Sequence, residues 1–361
     1  MKMAKKLTAL ILALILTLSI APGAFAADKA TLDSAVNDTA AYIYKTVKNP
    51  IVGSVGGEWA VIGLARSNYT APDSYYAAYY KAVEKYVKDC GGVLDSRKYT
   101  EYSRVILGLT AAGYDPTSVG GYDLTAPLED FDKTIWQGIN GPIWALIALD
   151  SGNYANTQRD NYIAEILDKQ LPDGGWDLAN QSSDPDMTGM ALQALANYQD
   201  KPEVKTAIDK ALKISFSYKT SEGVVQMLVA NATLGKSTDA LVDELLKYRN
   251  SDGSFNHVLG SDDGNNQMAT EQALYGLVAA QRARDGKSPL YKMSDTNRLT
   301  DNSEQLTITG LPNKNKDVKV VPITVPGRTF PDVKGHANQT AIEKIAERGI
   351  INGMTSDANA D

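Results

Sequence analysis

The chain has 361 residues, 43% of them hydrophobic and 22% charged, and a formal net charge of −7. That composition suits a packed core rather than a disordered chain, and the length points to one large domain with additions. The acidic balance argues against nucleic acid as a partner, since phosphate binding needs basic patches, and a single cysteine, Cys90, excludes an internal disulfide.

Residues 1–26 read as a secretory leader. Lys2, Lys5 and Lys6 form a positive start, Leu7 to Ile20 an apolar run, and Ala24-Phe25-Ala26 a small-x-small cleavage site. The apolar run is short of the ~20 residues that span a membrane comfortably. A secreted chain without disulfides suits a bacterial exporter.

From Asp28 to about Lys292 the pattern predicts about twelve helices in pairs. The first member of each pair is amphipathic and charged: Thr31–Val47, Asp73–Lys88, Leu128–Trp136, Gln158–Gln170, Pro202–Phe216 and Thr238–Tyr248. The second is poor in charge and rich in small residues: Trp59–Ala65, Glu101–Ala112, Pro142–Ser151, Pro185–Tyr198, Glu222–Leu234 and Asn266–Arg282. Amphipathic helices face water on one side, and helices apolar nearly all round are buried. The two classes therefore predict an outer and an inner layer. Leu64, Leu109, Leu149, Leu195, Asn231 and Leu277 align the inner members, giving a hairpin that recurs about every 40 residues, the mark of a repeat architecture. Six hairpins could form an open solenoid or a closed ring.

The turns recur as well. Gly56-Gly57-Glu58-Trp59, Asp173-Gly174-Gly175-Trp176 and Asp252-Gly253-Ser254-Phe255 each follow an outer helix. Glycine supplies the positive φ that ends a helix, and the aromatic can pack back onto the preceding pair.

Gln170-Leu171-Pro172-Asp173-Gly174-Gly175-Trp176 resembles the Gln/Trp repeat motif of squalene and hopene cyclases. The alternating helices resemble the α/α-toroid those cyclases share with protein prenyltransferase β subunits and the cobalamin carriers. Ile135–Ser151, Asp184–Ala196 and Asn265–Ala279 resemble the prenyltransferase-like toroid of secreted surface proteins from Gram-positive anaerobes. The resemblance covers roughly residues 30 to 292. It departs at Thr220-Ser221-Glu222, which lacks the glycine-aromatic insertion, and at Asn231, where the other repeats carry leucine; an irregular fifth hairpin is the expectation.

Residues 293–328, rich in Asn, Asp, Lys, Thr and Pro, read as a linker or a small β-like strip. Phe330-Pro331-Asp332-Val333-Lys334-Gly335-His336 with Ala341–Met354 resembles the opening of an S-layer homology module, with Ala337 where that family usually has tryptophan. The chain reaches Asp361 without the module's later motifs, so residues 329–361 are expected to be part of a module, and the chain part of a longer protein. One helix and a turn cannot bury a core alone.

The candidate site is the ring of polar residues where the inner helices begin: Glu58, Glu101, Asn140, Asp184, Asp186, Thr188, Glu222, Asn266, Gln267 and Glu271. Among these, Glu58, Asn140, Asp186, Thr188, Gln267 and Glu271 are the expected ligand contacts. Asp184-Pro185-Asp186 resembles the cyclase acid motif, but Met187 and Thr188 stand where that motif continues with acids. Acids at a helix start also cap it by accepting its free N–H groups, and Asp184 and Asp186 are the catalytic candidates. The resembled prenyltransferases hold zinc with Asp, Cys and His; Cys90 and His257 sit in no cluster of usable spacing, and no metal or cofactor is expected. The acidic turns near Asp252 and at Asp262-Asp263-Gly264 lack the regular spacing of a calcium loop. Tyr75, Tyr76, Tyr79 and Tyr80 on one outer helix fit either packing or a wet binding surface.

The expectation is an all-α chain: an α/α-toroid over residues 27–292, a linker, and a partial S-layer homology module. The function expected is a secreted cell-envelope protein whose toroid is a non-catalytic binding or spacer module, with its extracellular ligand unidentified. Its C-terminal module would hold secondary cell-wall polysaccharide. The rivals are an extracellular polysaccharide lyase or hydrolase using Asp184, Asp186 and Arg104, and a corrinoid-like carrier.

Overall fold

The computed structural model describes residues 28–179, 181–261, 266–296, 330, 333–336 and 338–348. The leader, nearly all of the linker and the end of the S-layer-like segment lie outside the described residues. Two compact units are present, one up to Gln305 and one from Leu306, and each is taken by itself.

The described residues form 13 α-helices and no strand. In the first unit these are α1 Lys29–Thr46, α2 Trp59–Arg66, α3 Asp73–Asp89, α4 Thr100–Ala111, α5 Phe131–Thr134, α6 Asn140–Ser151, α7 Arg159–Asp168, α8 Pro185–Leu195, α9 Pro202–Ala211, α10 Ser221–Thr233, α11 Asp239–Leu246 and α12 Gln267–Arg284. The even-numbered helices are the charge-poor ones. Each packs on the next, and α12 packs on α2, so their contacts close into a cycle.

Burial separates the two classes. In α10 every residue from Ser221 to Ala230 is buried. In α1 only one stripe is buried (Leu32, Ala35, Val36, Thr39, Ala40 and Ile43), with the i, i+3, i+4 spacing of one helix face. Leu64, Leu109, Leu149, Leu195 and Leu277, the aligned repeat positions, are all 0–1% exposed, and burying each contributes about 1.5–3 kcal/mol. Small residues let the inner helices approach closely. A Cβ on Gly189 of α8 would meet the Gln226 backbone of α10 at 2.5 Å.

Two glycine-aromatic turns are glue. Trp176 is fully buried; its backbone N–H donates to Thr188 Oγ1 (3.0 Å) and its indole N–H to the Ile166 carbonyl (2.7 Å). Phe255 repeats the arrangement, donating its backbone N–H to Thr270 Oγ1 at 2.9 Å. Gly253 needs its φ of +90°, and a Cβ there would lie 2.8 Å from the Asp38 carbonyl of α1.

Three expectations are revised. The outer helix expected over Leu128–Trp136 is three short pieces: a 3₁₀ turn at Ala126–Glu129, α5, and a 3₁₀ turn at Ile135–Gln137. Asp130 leaves helical geometry to cap α5, its Oδ1 accepting from the Lys133 N–H at 3.1 Å, and Gly138 at φ +64° stops the run. The fifth inner helix is continuous despite Asn231, whose side chain donates to the Ser237 carbonyl at 3.1 Å. Packed chain also runs beyond Lys292. Arg66 and Arg282 are buried guanidiniums that need acceptors, and the segment after α12 supplies them. Arg66 donates to the carbonyls of Pro289, Leu290 and Lys292 and pairs with Asp295 at 2.6 Å; Arg282 pairs with the same carboxylate. Met293 is buried, its N–H donating to the Ser151 carbonyl at 2.9 Å.

The tyrosine cluster packs. Tyr75 and Tyr79 are buried and Tyr80 stacks on Tyr114 at 4.3 Å. In the second unit α13, Gln339–Glu347, follows a turn in which the Gly335 N–H donates to Gln339 Oε1 at 2.7 Å.

Candidate functional site

The site forms where the inner helices start. Asp184 caps α8, its Oδ1 accepting the Met187 N–H at 2.8 Å, and Pro185 occupies the first helical position, where no donor is lost. That register sets Asp186 in the first turn. Thr220 caps α10 through the Gly223 N–H, and the Ser221 N–H donates to the His257 carbonyl at 2.9 Å. Glu222 thus falls in the first turn of α10, beside the loop that carries His257. Asn266 caps α12 through the Ala269 N–H at 3.0 Å.

Side chains of these first turns and of the one or two turns that follow line a cavity of about 330 Å³. α8 contributes Asp186 and Met190, α10 Glu222 and Gln226, and α12 Met268, Gln272 and Tyr275. The i, i+4 and i+7 spacings place each set on one helix face. Trp59 from the start of α2 and Trp144 from α6 complete the wall with Thr220 and His257. Trp59 lies 5.3 Å from Trp144 and 5.7 Å from Tyr275, all with tilted rings. Tyr291, from the strap beyond α12, packs behind Trp144 and Tyr275. The Gln226 amide donates to the Tyr275 hydroxyl (2.8 Å), which donates to Gln272 Oε1 (2.9 Å).

The charge in this cavity is unbalanced. His257 Nδ1 lies 2.8 Å from Glu222 Oε2. Glu222 is only 6% exposed, and its Oε1 has no hydrogen-bond partner. Burial, reinforced by the charges of Asp184 and Glu222 and opposed by His257, pushes Asp186 up to about 6. No Lys or Arg is among the lining residues. Among the described residues, no three His, Cys, Asp or Glu side chains form a group that could hold a metal.

The opposite side of the same rim is built differently. Glu58 is fully buried. Its carboxylate accepts from Arg104 Nε at 2.8 Å, the Gly53 N–H at 3.0 Å and the Tyr79 hydroxyl at 3.1 Å. Arg104 also forks onto Glu101. Burial pushes the Glu58 carboxyl up and Arg104 pulls it back. Glu271 accepts the Gly56 N–H (2.9 Å) and the Gln267 amide (2.7 Å) on one oxygen, while the other is buried without a partner. Burial, with a smaller push from Glu58, carries it up to about 7.

The sequence-derived residues therefore separate. Asp186 faces the cavity. Asp184 is a cap beside it, pushed up by burial. Thr188 is fully buried against Trp176. Glu58, Gln267 and Glu271 form the neighbouring buried network, and Asn140 is half-buried at the first position of α6, outside the cavity lining. Arg104 serves Glu58 and Glu101 rather than Asp184 and Asp186. The residues that sequence reasoning passed over are Trp59, Trp144, Tyr275 and His257. Their signal was faint: bulky aromatics in helices otherwise made of small residues, and a histidine two positions beyond a buried turn aromatic.

A larger depression of about 770 Å³ lies at the C-terminal ends of α6 and α8. Its one carboxylate, Asp150, already accepts from Arg159, Tyr198 and Asn197, so it offers less unsatisfied chemistry. No protein-family model and no curated protein matches this sequence.

Proposed function

We propose that residues 27–292, with the strap that follows them, are an α/α-toroid acting as a ligand-binding module of a secreted bacterial cell-envelope protein. The C-terminal segment would be the start of an S-layer homology anchor for secondary cell-wall polysaccharide. The closed cycle of inner-helix contacts supports the toroid reading. The single observation that carries the binding role is the cavity at the inner-helix starts, with a buried carboxylate oxygen of Glu222 left without a partner. Native proteins satisfy nearly all such groups, and an orphan on a residue that lines a cavity marks a place for a ligand atom. About 330 Å³ equals the volume of roughly ten waters. That fits a small molecule and argues against a corrinoid.

The test is a melting-temperature screen of the full chain against small amines, carboxylates, sugars and neutral alcohols at millimolar concentration. A binder at a hundred times its Kd stabilises by about 2.7 kcal/mol. The reading predicts a shift for one class, lost on Trp144→Ala. No shift for any class removes the binding role.

A second reading, an extracellular lyase or hydrolase, draws on Asp186, whose pushed-up carboxyl lies near Glu222 and His257. It requires product release from acidic or neutral polysaccharide, abolished by Asp186→Asn and by His257→Ala.

A further inference from the structure

We propose that the cavity takes a small organic cation, an amine or quaternary ammonium, seated against Trp59, Trp144 and Tyr275 and neutralised by Glu222 and Asp186. This rests on the binding-module reading and assigns its ligand class.

Three independent features converge. The first is charge. Two carboxylates face the cavity from α8 and α10, and no Lys or Arg lines it. His257 engages only one oxygen of Glu222 and leaves Oε1 buried and unpartnered. A buried carboxylate oxygen without a partner is costly, and a cation seated beside it lowers that cost. An anion would be repelled, and a neutral sugar would leave the charge uncompensated.

The second feature is the wall. The rings of Trp59 and Trp144 are inclined at 46°, and those of Trp59 and Tyr275 at 54°. The Trp59 ring is therefore tilted to both of the others, and all three residues line the cavity. Ring faces attract cations through the quadrupole, most strongly for tryptophan and most of all where water is excluded. Both tryptophans are only partly buried against the core, whereas Trp176 and Phe255 are fully buried in the turns.

The third is the contrast within the same rim. Glu58, also buried, is met by Arg104 at 2.8 Å. Among the described residues, a guanidinium meets Glu58, whereas only His257 meets Glu222 as a basic group. Asp184, Glu222 and His257 are the charged or titratable groups that act on Asp186; two are acids, so the field at Asp186 favours an incoming positive charge.

The experiment compares choline with its neutral isostere 3,3-dimethylbutan-1-ol, by calorimetry and by quenching of tryptophan fluorescence in the full chain at pH 7.5. Tetramethylammonium and n-butylammonium serve as second and third cations. At least one cation is expected to bind tenfold or more tightly than the neutral alcohol. Its affinity should fall tenfold or more in Glu222→Gln and in Trp144→Leu, each checked for an unchanged circular dichroism spectrum. The wild-type comparison needs no variant, so it stands if either one fails to fold. Equal binding of cation and alcohol would overturn the cation inference and leave the cavity a binding site. Cation binding unchanged in both folded variants would overturn it by placing the site elsewhere. No binding by any probe would overturn it, and the binding-module reading would then stand or fall on the broader screen above.

Discussion

Two carboxylate clusters lie on the same end of one helical cycle, and they are solved in opposite ways. On the α2–α4 side, Glu58 is completed by Arg104, a backbone N–H and a tyrosine hydroxyl. On the α8–α10 side, Glu222 and Asp186 face a cavity with only His257, among the described residues, as a basic neighbour. The burial of Glu58 and Glu222 is similar. The difference is whether the chain itself brings the compensating charge. A completed cluster holds helices together. An incomplete one on a cavity wall holds a place for something else.

That comparison can be broken from either side. The largest effect is expected for Arg104→Met, which strands the Glu58 carboxylate in the core. Breaking one partner of a buried pair costs about 3–5 kcal/mol, and urea unfolding reads it directly. A loss below about 1 kcal/mol would mean that Glu58 and Glu222 are not different in kind.

Glu271 lies between the two extremes, hydrogen-bonded on one oxygen and orphaned on the other. Its folded-state pKa, about 7, lies above the ordinary 4.5. The folded protein therefore holds that proton more tightly than the unfolded chain. The stabilising contribution is complete below about pH 4.5 and is lost as pH rises through 7, about 3 kcal/mol in all. Glu271→Gln keeps one oxygen as acceptor and removes the titration. Its stability should change less between pH 4.5 and 7.5 than that of the wild type, as urea unfolding at both pH values would reveal. Equal slopes in the two proteins would contradict the assignment.

The smallest effect belongs to Glu222→Gln. No Lys or Arg among the described residues loses a partner by it, so stability should move by no more than about 1 kcal/mol, even though cation binding falls tenfold or more. A thermal melt and a calorimetric titration on the same sample separate the two. A large loss of stability would show Glu222 to be a structural acid like Glu58.

Much of the architecture was legible in the amino-acid pattern, for a physical reason. Burial on all sides favours helices poor in charge, and burial on one side demands a stripe; α10, with Glu222 as its one charged residue, and α1 follow these rules. The helix caps could be read too, since Asp184 and Thr220 have short acceptors at the right distance from the apolar run. Local rules failed where distant chain decides the outcome. Pro127 and Asp130 broke the third outer helix. The strap at Ser288–Asp295 joined the core because two arginines far apart in sequence needed acceptors. The rim was legible as a set of polar helix starts, but not its division into caps, buried pairs and cavity walls. Thr188 and Asp186 are two residues apart on α8, and one is bound to Trp176 while the other faces the cavity. That distinction depends on which face meets a neighbour.

Everything at the rim depends on the cycle being closed between its first and last members, α2 and α12. A Cβ placed on Gly63 of α2 lies 3.4 Å from that of Leu274 on α12, close to the separation a disulfide bridges. In a Cys90→Ser background, Gly63→Cys with Leu274→Cys should form an intramolecular disulfide under mild oxidation, seen as a faster-migrating band on non-reducing electrophoresis. If both thiols instead remain free to alkylation in the folded, oxidised protein, the helices do not meet and the closed ring is wrong.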